Sequence, residues 1–403
     1  MRSHRSCHAA ASTLDRRTFI ATSIGSLVGV HALARGGTSA NRMNTQARQP
    51  GLPASRLATL ARGINLSHWV WYPHAQGEAA RRAFIIDADL AQLVASGFTH
   101  ARFPFEPDWL WNATEHRLND ASLREYLDAI RRCHGAGLSI IIDAHWSRTP
   151  WIKPSEPTHE ARMGELERMW SALGAVCRDL DPERTYLEIV NEPHDISAAA
   201  WAESQANIAR AIRDAAPDHT IMATGASWGS IDGLLALEPL DDPNIVYSFH
   251  FYEPHNFTHQ GATWGFPPWK EMKGVPWPAE RAELERIADT FPQSSRDALR
   301  WSARDATSDP WTPEALDARI ERAHQWSLTH KCPIYCGEFG AHKPTAPRDA
   351  RLAWTRALAE SLNTRSIGWA MWDYVGGFAI AEGAPGARTL DAEMCHALEL
   401  RPH

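Results

Sequence analysis

The chain has 403 residues, of which 44% are hydrophobic and 22% charged, which is typical of a globular protein that buries a large core. Its formal charge is −7 and it has no run of lysines or arginines, which argues against nucleic acid or an anionic membrane as a partner. The 6 cysteines lack the C-x-x-C spacing of zinc and redox sites, and we expect most of them to be free and buried.

The N-terminus has the features of an export signal. Twin arginines, Arg16 and Arg17, precede an apolar run at 20–30, and small residues at 32–34 offer a cleavage site. The apolar run is too short for a permanent membrane anchor. We therefore expect a twin-arginine signal at 1–34 that delivers the protein to the periplasm or the medium. The alternative is an uncleaved tail.

Eight short apolar runs recur along the rest of the chain. Each is rich in Ile, Val, Phe or Tyr and is short enough to form a fully buried strand. The runs span residues 62–69, 99–105, 138–146, 185–193, 220–228, 244–252, 333–340 and 366–374.

Amphipathic segments with helical spacing separate many of these runs, for example at 87–97, 120–137, 198–217 and 313–330. Strand and helix alternating eight times is the pattern of a (β/α)8 TIM barrel. We predict one such domain over residues 56–403, after a flexible leader at 35–55, and we expect it to be a monomer. A doubly wound sheet is the alternative. That fold usually has fewer strands, and no glycine-rich phosphate motif follows the first run.

Polar and aromatic side chains of catalytic type concentrate where the predicted strands end. The functional residues of a (β/α)8 barrel lie at the C-terminal ends of its strands, so these positions are candidates for one site. The candidates are Asn65, His68, Arg102, His145, Trp146, Asn191, Glu192, Trp228, His250, Tyr252, Glu338 and Trp372.

Two of these candidates are glutamates on separate strands. Glu192 ends the fourth run in YLEIVNEPH, and Glu338 lies in GEFG on the seventh. Two carboxyl groups across a cleft are what glycoside hydrolysis requires, one as acid and the other as nucleophile or base. The amide of Asn191 can hydrogen-bond the sugar hydroxyl next to the reacting carbon, while Pro193 ends the strand.

Eight of the candidates also follow a familiar order. The motifs ARFPF, DAHW, NEP, FHFY, GEFG and WAMWDY resemble those of the glycoside hydrolase family 5 cellulases, which belong to a clan of retaining (β/α)8 glycosidases. The resemblance covers roughly residues 58–376. It rests on Arg102, His145, Asn191, Glu192, His250, Tyr252, Glu338 and Trp372.

The resemblance implies a role for each glutamate. Glu192 would act as acid and base, and Glu338 as nucleophile. We expect Arg102 and Tyr252 to hydrogen-bond Glu338, and His250 to tune the acid. The resemblance further implies a cis peptide bond after Trp372, and the chemistry requires no cofactor.

The 18 tryptophans are unusual for a chain of this length. Indole rings stack on sugars, although core packing explains most tryptophans in proteins. We expect Trp372 to form the floor of the central subsite. Trp146, Trp228 and Trp264 are further candidates for sugar platforms, with core packing as the alternative for each. His68 is expected to be a supporting residue of the site.

Two other residue types invite interpretation. His145 and His250 do not have the spacing of a helical zinc motif, and we predict no metal site. Glu188 shares strand parity with Glu192 and is expected to be a buried structural carboxylate with a partner.

The most specific hypothesis is a retaining endo-β-1,4-glucanase acting on β-glucan or its oligosaccharides. A β-mannanase and an exo-acting β-glucanase or β-glucosidase are alternatives, because loops rather than catalytic residues separate them. A non-catalytic glycan-binding barrel would be expected to lack one glutamate, and a nucleotide-dependent enzyme would need a phosphate loop.

Overall fold

The computed structural model describes residues 52–146, 158–305 and 309–401. The predicted signal at 1–34 lies outside the described residues, as does the predicted leader at 35–55 apart from its last four positions. The first helix, α1 (Ala54–Thr59), begins within those positions. The fold therefore starts slightly before the predicted boundary at residue 56.

Eight parallel strands close into a barrel in which each strand pairs with the next along the chain and the last pairs with the first. This confirms the predicted (β/α)8 fold, and every strand lies within one of the eight predicted runs. The strands are β1 (Arg62–Asn65), β2 (His100–Phe105), β3 (Ser139–Ala144), β4 (Thr185–Glu188), β5 (Thr220–Thr224), β6 (Ile245–Phe251), β7 (Ile334–Phe339) and β8 (Gly368–Met371).

Helices surround the barrel and bury its outer face. The four amphipathic segments predicted from the sequence correspond to the helices Asp87–Ser96, Asp120–Ala136, Ala198–Ala215 and Pro313–His330. The helices after α1 are α2 (Glu78–Phe84), α3 (Asp87–Ser96), α4 (Pro107–Leu110), α5 (Asp120–Ala136), α6 (His159–Cys177), α7 (Ala198–Ala215), α8 (Ile231–Leu235), α9 (His255–Thr258), α10 (Arg281–Ala288), α11 (Gln293–Ser302), α12 (Pro313–His330), α13 (Arg348–Thr364) and α14 (Ala392–Ala397), with a 3-10 helix at Pro267–Glu271.

Two short antiparallel ribbons lie outside the barrel. Trp111–Asn112 pairs with Arg117–Leu118, and Ala381–Glu382 pairs with Thr389–Leu390. Helix α5 illustrates how local sequence sets the boundaries of an element. The Asn119 side chain accepts hydrogen bonds from the first-turn amides, and Gly137 ends the helix in a left-handed conformation with φ of +108°.

Within the barrel, side chains change from apolar to polar towards the C-terminal ends of the strands. Alternate residues of a strand face the same side, so Ile141, Asp143 and His145 share one side of β3 and its end, as Tyr186 and Glu188 do on β4. The apolar members belong to one compact cluster of buried side chains, which comprises Leu60, Ile141, Tyr186, Met222, Val246, Tyr335 and Ala370. The barrel interior is therefore filled with apolar side chains away from the mouth and is polar at the mouth, where the strands end.

The connection between β6 and β7 is the long excursion expected from the sequence. It contains α9 to α12 and the 3-10 helix. Trp277 and Trp311 are buried in it, whereas Trp264, Phe266 and Trp301 are 50%, 48% and 58% exposed. The buried tryptophans of the excursion thus join the main hydrophobic core, while other aromatic rings remain on its outer surface.

The described residues contain five of the 6 cysteines of the chain. The five cysteines there are free, and four of them are buried: Cys133, Cys177, Cys336 and Cys395. This agrees with the expectation of mostly free, buried thiols. Among the helices described, none combines the length and apolar character needed to cross a membrane.

Candidate active site

Arg102, on β2, is fully buried at the barrel mouth and faces three carboxyl groups. Its Nη1 donates to Glu338 Oε1 at 2.6 Å, and its Nε donates to Glu188 Oε2 at 2.7 Å. Its Nη2 lies 2.9 Å from Asp143 Oδ2. Burial alone would lower the pKa of Arg102, but the three negative neighbours raise it well above its ordinary value. The guanidinium is thus a permanent cation around which the site is organised.

Glu338, on β7, is held at both oxygens. Arg102 binds Oε1, and the Tyr252 hydroxyl donates to Oε2 at 3.0 Å. His250 Nδ1 lies 3.6 Å from Oε2. The side chain is 5% exposed. These contacts fix the carboxyl group in one orientation, as a nucleophile needs.

Glu192 follows β4 and has different surroundings. Its backbone is left-handed, with φ of +39°. Its Oε1 lies 2.8 Å from His250 Nδ1, and the side chain remains 26% exposed. Desolvation raises the pKa of Glu192 to about 7, against the opposing charges of His194 and Arg102. A carboxyl group of this kind carries a proton close to neutral pH.

The two glutamates face each other. One oxygen of Glu192, one of Glu338 and a ring nitrogen of His250 all lie within 4.8 Å of one another. Short carboxylate separations characterise glycosidases that retain anomeric configuration, with about 5–5.5 Å between the two carboxyl groups, whereas inverting enzymes leave about 6.5–9.5 Å for a water molecule. The same three groups have the spacing of a cation site. His250, however, already contacts both carboxylates.

A hydrogen-bonded chain fixes the amide of Asn191. Its Oδ1 accepts from Arg102 Nη2 at 2.9 Å, so its amino group faces His145 Nε2 at 3.0 Å. Burial lowers the pKa of His145 to about 3, so the ring is neutral. Nε2 then accepts from Asn191, and Nδ1 donates to Asp143 Oδ2 at 2.9 Å. No other acceptor among the described residues binds the Asn191 amino group, so its second hydrogen can serve a sugar hydroxyl.

Trp372 follows β8 at the same mouth. The peptide bond to Asp373 is cis, as the resemblance implied. The indole lies edge-on to Trp71 at 5.6 Å and 5.7 Å from the ring of His145. His68 is near it, since its Nε2 lies 3.5 Å from Asp373 Oδ2. This side of the mouth therefore carries a group of aromatic rings around the Asn191 amide and its partner His145.

The other predicted tryptophans differ in exposure. Trp228 is 44% exposed and Trp264 is 50% exposed. Trp264 lies 6.4 Å from Phe378, which in turn lies 6.0 Å from Tyr252. By contrast, Trp146 is only 8% exposed and belongs to the hydrophobic core, with the Arg162 guanidinium 4.7 Å from its ring. Trp228 and Trp264 thus offer open faces for a sugar, and Trp146 serves packing.

Sequence reasoning overlooked Asp143 and Ser67 at the mouth, and it named Asn65 without assigning it a partner. Asp143 binds both Arg102 and His145, Asn65 accepts from Arg102 at 3.0 Å, and Ser67 donates to Asp373 at 2.7 Å. Strand parity could have revealed Asp143, because it precedes His145 by two positions. Burial raises the pKa of Asp143 to about 6 and that of Asp373 to about 8. Glu188 is the buried, partnered carboxylate that was expected.

Comparison with known proteins agrees with this geometry. The family model described as Cellulase (glycosyl hydrolase family 5) matches residues 58–376. Endoglucanase 3 of Fibrobacter succinogenes is 27% identical over 351 residues, which cover 82% of this chain and 52% of that protein. Endoglucanase C of Acetivibrio thermocellus is 26% identical over 325 residues, covering 77% and 90%. The chain thus spans about half the length of the first relative and nearly all of the second.

Solved structures share the fold. The endoglucanase Cel5A from Thermotoga maritima superposes with a TM-score of 0.67 at 23% identity, covering 85% of this chain and 98% of that one. A subunit Z of the cellulose synthase of Clostridioides difficile gives a TM-score of 0.68 at 20% identity, covering 84% and 99%. Because the family model matches most of the chain, this protein belongs to glycosyl hydrolase family 5, the cellulase family, and is an O-glycosyl hydrolase.

Proposed function

We propose that the protein is a retaining endo-β-1,4-glucanase in which Glu338 is the nucleophile and Glu192 the acid and base. One observation carries the proposal. The two carboxylates approach within 4.8 Å, yet their surroundings differ. Arg102 and Tyr252 bind Glu338, whereas burial raises the pKa of Glu192 to about 7. Paired carboxyl groups in contrasting environments are the arrangement that double displacement uses.

In the first step, an oxygen of Glu338 attacks the anomeric carbon as the bond to the leaving sugar breaks. Glu192 gives its proton to the departing oxygen, so the leaving sugar departs as an alcohol. The remaining amino hydrogen of Asn191 binds the hydroxyl next to the reacting carbon. Its orientation is fixed by Arg102 and His145.

In the second step, the carboxylate of Glu192 removes a proton from water, and the water oxygen attacks the same carbon. The ester bond to Glu338 breaks, which restores both side chains to their initial state. His250 contacts both carboxylates, at 2.8 Å from Glu192 and 3.6 Å from Glu338. The His250 ring therefore lies beside the negative charge in both steps, whichever glutamate carries it. Two inversions leave the product with the configuration of the substrate.

A β-1,4-glucan is the preferred substrate because the relatives are endoglucanases by name. The exposed rings of Trp228 and Trp264 offer two separate sugar platforms, which suits binding of several sugars of a chain. A mannan is the second candidate, since Thermotoga maritima Cel5A has been solved with mannotriose as well as cellobiose. Shorter oligosaccharides are a third candidate, because Cellodextrinase A of Ruminococcus flavefaciens is 25% identical to this chain.

We further propose that the protein is exported by the twin-arginine pathway and works as a monomer outside the cytoplasm. The twin arginines at 16 and 17 and the apolar run after them support export. A fusion of residues 1–34 to a reporter, with and without replacement of both arginines by lysine, tests the pathway. Loss of export only in the lysine variant is expected.

The product profile tests the proposed activity. We expect the viscosity of carboxymethylcellulose to fall well before much reducing sugar appears, with weaker action on mannan and none on laminarin. Glucose as the sole early product would instead indicate exo action. Proton NMR of fresh product should show the β-anomer first, and an initial α-anomer would contradict the retaining mechanism.

A further inference from the structure

His194 joins the acid to the aromatic platform after β5. It is 6% exposed and lies two residues beyond Glu192. Its Nδ1 is 2.8 Å from the main-chain oxygen of Glu192. A carbonyl oxygen can only accept, so Nδ1 carries a hydrogen and donates it. This bond holds the backbone at a residue whose φ is +39°, a conformation that non-glycine residues rarely adopt.

The other side of the His194 ring lies against Trp228. The two ring centroids are 5.2 Å apart and the planes differ by 6°, which is a parallel stack. Ser227 and Trp228 are also left-handed, with φ of +61° and +57°. The Trp228 amide donates to Pro193 at 3.1 Å, which ties the two loops together. Trp228 remains 44% exposed, so it is backed by His194 and open to a ligand.

Trp228 lies on the side of the site where the leaving sugar is expected. It is fastened to the residue next to Glu192, which protonates the departing oxygen in the proposed mechanism. The aromatic rings of Phe378 and Trp264 are instead joined to Tyr252, which binds Glu338. A ring attached to the acid is placed to bind the sugar that leaves.

Electrostatics links His194 to the same step. Desolvation is the largest influence on the pKa of Glu192 and raises it, and the charge of His194 is the first of the effects that lower it. The Nε2 of His194 lies 3.9 Å from Asp195 Oδ2. The other ionisable groups that act on or lie beside Glu192 are Arg102, Asp143, Glu188, His250, Tyr252 and Glu338.

We propose that His194 is a positioning residue that couples a leaving-group sugar stacked on Trp228 to the proton donor Glu192. The inference rests on the proposed function and names the residues that make its leaving-group subsite. A residue that only filled space would leave both the pH profile and the choice of leaving group unchanged.

Two variants separate the contacts of His194. His194→Phe keeps a flat ring against Trp228 but loses the Nδ1 donor and the charge. His194→Asn keeps an N–H for the Glu192 carbonyl but loses the ring. Trp228→Ala removes the platform, and Trp301→Ala, at a ring 58% exposed on α11, is the matched control. Each is assayed on cellotetraose, whose leaving group is a sugar, and on dinitrophenyl cellobioside, whose leaving group needs no proton.

Both His194 variants should move the basic limb of kcat/KM for cellotetraose to higher pH, because Glu192 loses a neighbour that lowers its pKa. His194→Asn and Trp228→Ala should each lose roughly three- to tenfold more on cellotetraose than on the dinitrophenyl substrate. The double variant His194→Asn/Trp228→Ala should lose less activity on cellotetraose than the product of the two single losses. Such a result indicates that the two residues are coupled. Trp301→Ala should match the unmodified enzyme.

Three results would overturn the inference in an enzyme that cleaves cellotetraose: an unmoved basic limb in folded His194 variants, equal losses on both substrates, or multiplicative losses in the double variant. If neither His194 variant folds, Trp228→Ala alone still decides, since equal losses on the two substrates would remove Trp228 from the leaving-group side. An unmodified enzyme that leaves cellotetraose intact refutes the proposed function instead.

Discussion

Two glutamates of the same chemistry receive opposite surroundings at the barrel mouth. Glu338 is bound by a guanidinium at one oxygen and a phenol at the other. Glu192 lies beside His250 in a desolvated position that raises its pKa to about 7. The contrast, rather than the presence of two carboxylates, assigns the two roles. The sequence pointed to both residues and, through the family resemblance, to Arg102, Tyr252 and His250 beside them, but not to Asp143, which also binds Arg102.

Replacing Glu338 tests the nucleophile. Glu338→Gln preserves shape but cannot form the ester, so kcat should fall by at least about 10³-fold. Added azide should restore turnover with inverted product, because a small anion takes the place of the carboxylate. Polarimetry or NMR of the glycosyl azide gives the measurement.

Glu188→Gln is the matched control for that variant. Glu188 is also buried and bound to Arg102, but it lies on the strand below the reacting groups. We expect roughly a tenfold loss or less, and no response to azide. An azide response in Glu188→Gln, or full activity in Glu338→Gln, would reverse the assignment.

The raised pKa of Glu192 predicts the alkaline side of the pH profile. The acid must be protonated to release a sugar, so kcat/KM on cello-oligosaccharides should fall about tenfold per pH unit above about 7. The glycosylation step with dinitrophenyl cellobioside should lack this limb, because its leaving group departs as an anion. A pH profile for cello-oligosaccharides that stays flat from about pH 6 to 9 would contradict the role of Glu192.

At the scale of elements, strand β3 supplies a buried support for the site. Asp143 and His145 share one side of the strand and its end, so the carboxylate lies beneath the imidazole it binds. Their bond sets the His145 tautomer, which in turn orients the Asn191 amide. The strand thus positions a substrate-binding group that belongs to the end of β4.

Asp143→Ala should weaken this chain without touching the sugar. We expect a loss of about 10- to 100-fold in kcat, as when the partner of an orienting histidine is removed. The loss should shrink on a 2-deoxy substrate, which lacks the hydroxyl that Asn191 would bind. Asp143→Asn keeps an acceptor oxygen and should be milder. Equal losses on both substrates would indicate general destabilisation instead.

The loops between strands and helices were less accessible to sequence reasoning. His194 stacks on Trp228, and the backbone at Ser227 and Trp228 is left-handed. No local sequence pattern predicts this backbone conformation at residues other than glycine. Trp146 was a candidate platform because it follows His145, but Arg162 of α6 covers its ring. The sequence shows that Trp146 follows His145, but it does not show that a side chain from another helix packs on the Trp146 ring.

At the scale of the whole molecule, the eight apolar runs were sufficient to predict a closed barrel and its C-terminal mouth. Parallel strands buried on both faces have near-continuous apolar sequences, and a barrel places all their ends together. What the runs did not show is how the excursion after β6 is attached to the barrel. Part of that attachment is an ionic contact of Arg319 with Asp232 of α8, made beside its buried contact with Glu253.

Arg319 of α12 should be a main support of this attachment. It is 3% exposed and its Nε donates to Glu253 Oε2 at 2.7 Å, while Nη1 binds Asp232 Oδ1 at 3.0 Å. Arg319→Met fills a similar volume but leaves Glu253 buried without its cation. Breaking a buried pair from one side costs about 3–5 kcal/mol, so the urea midpoint should fall clearly.

Two comparisons test the reason for that loss. Arg281→Met breaks an exposed pair with Glu285, where the charges stay hydrated, and should leave the urea midpoint almost unchanged. Adding Glu253→Gln to Arg319→Met should recover part of the lost stability, because the amide carries no charge to desolvate. If the double variant is no more stable than Arg319→Met, packing rather than the unpaired carboxylate accounts for the effect.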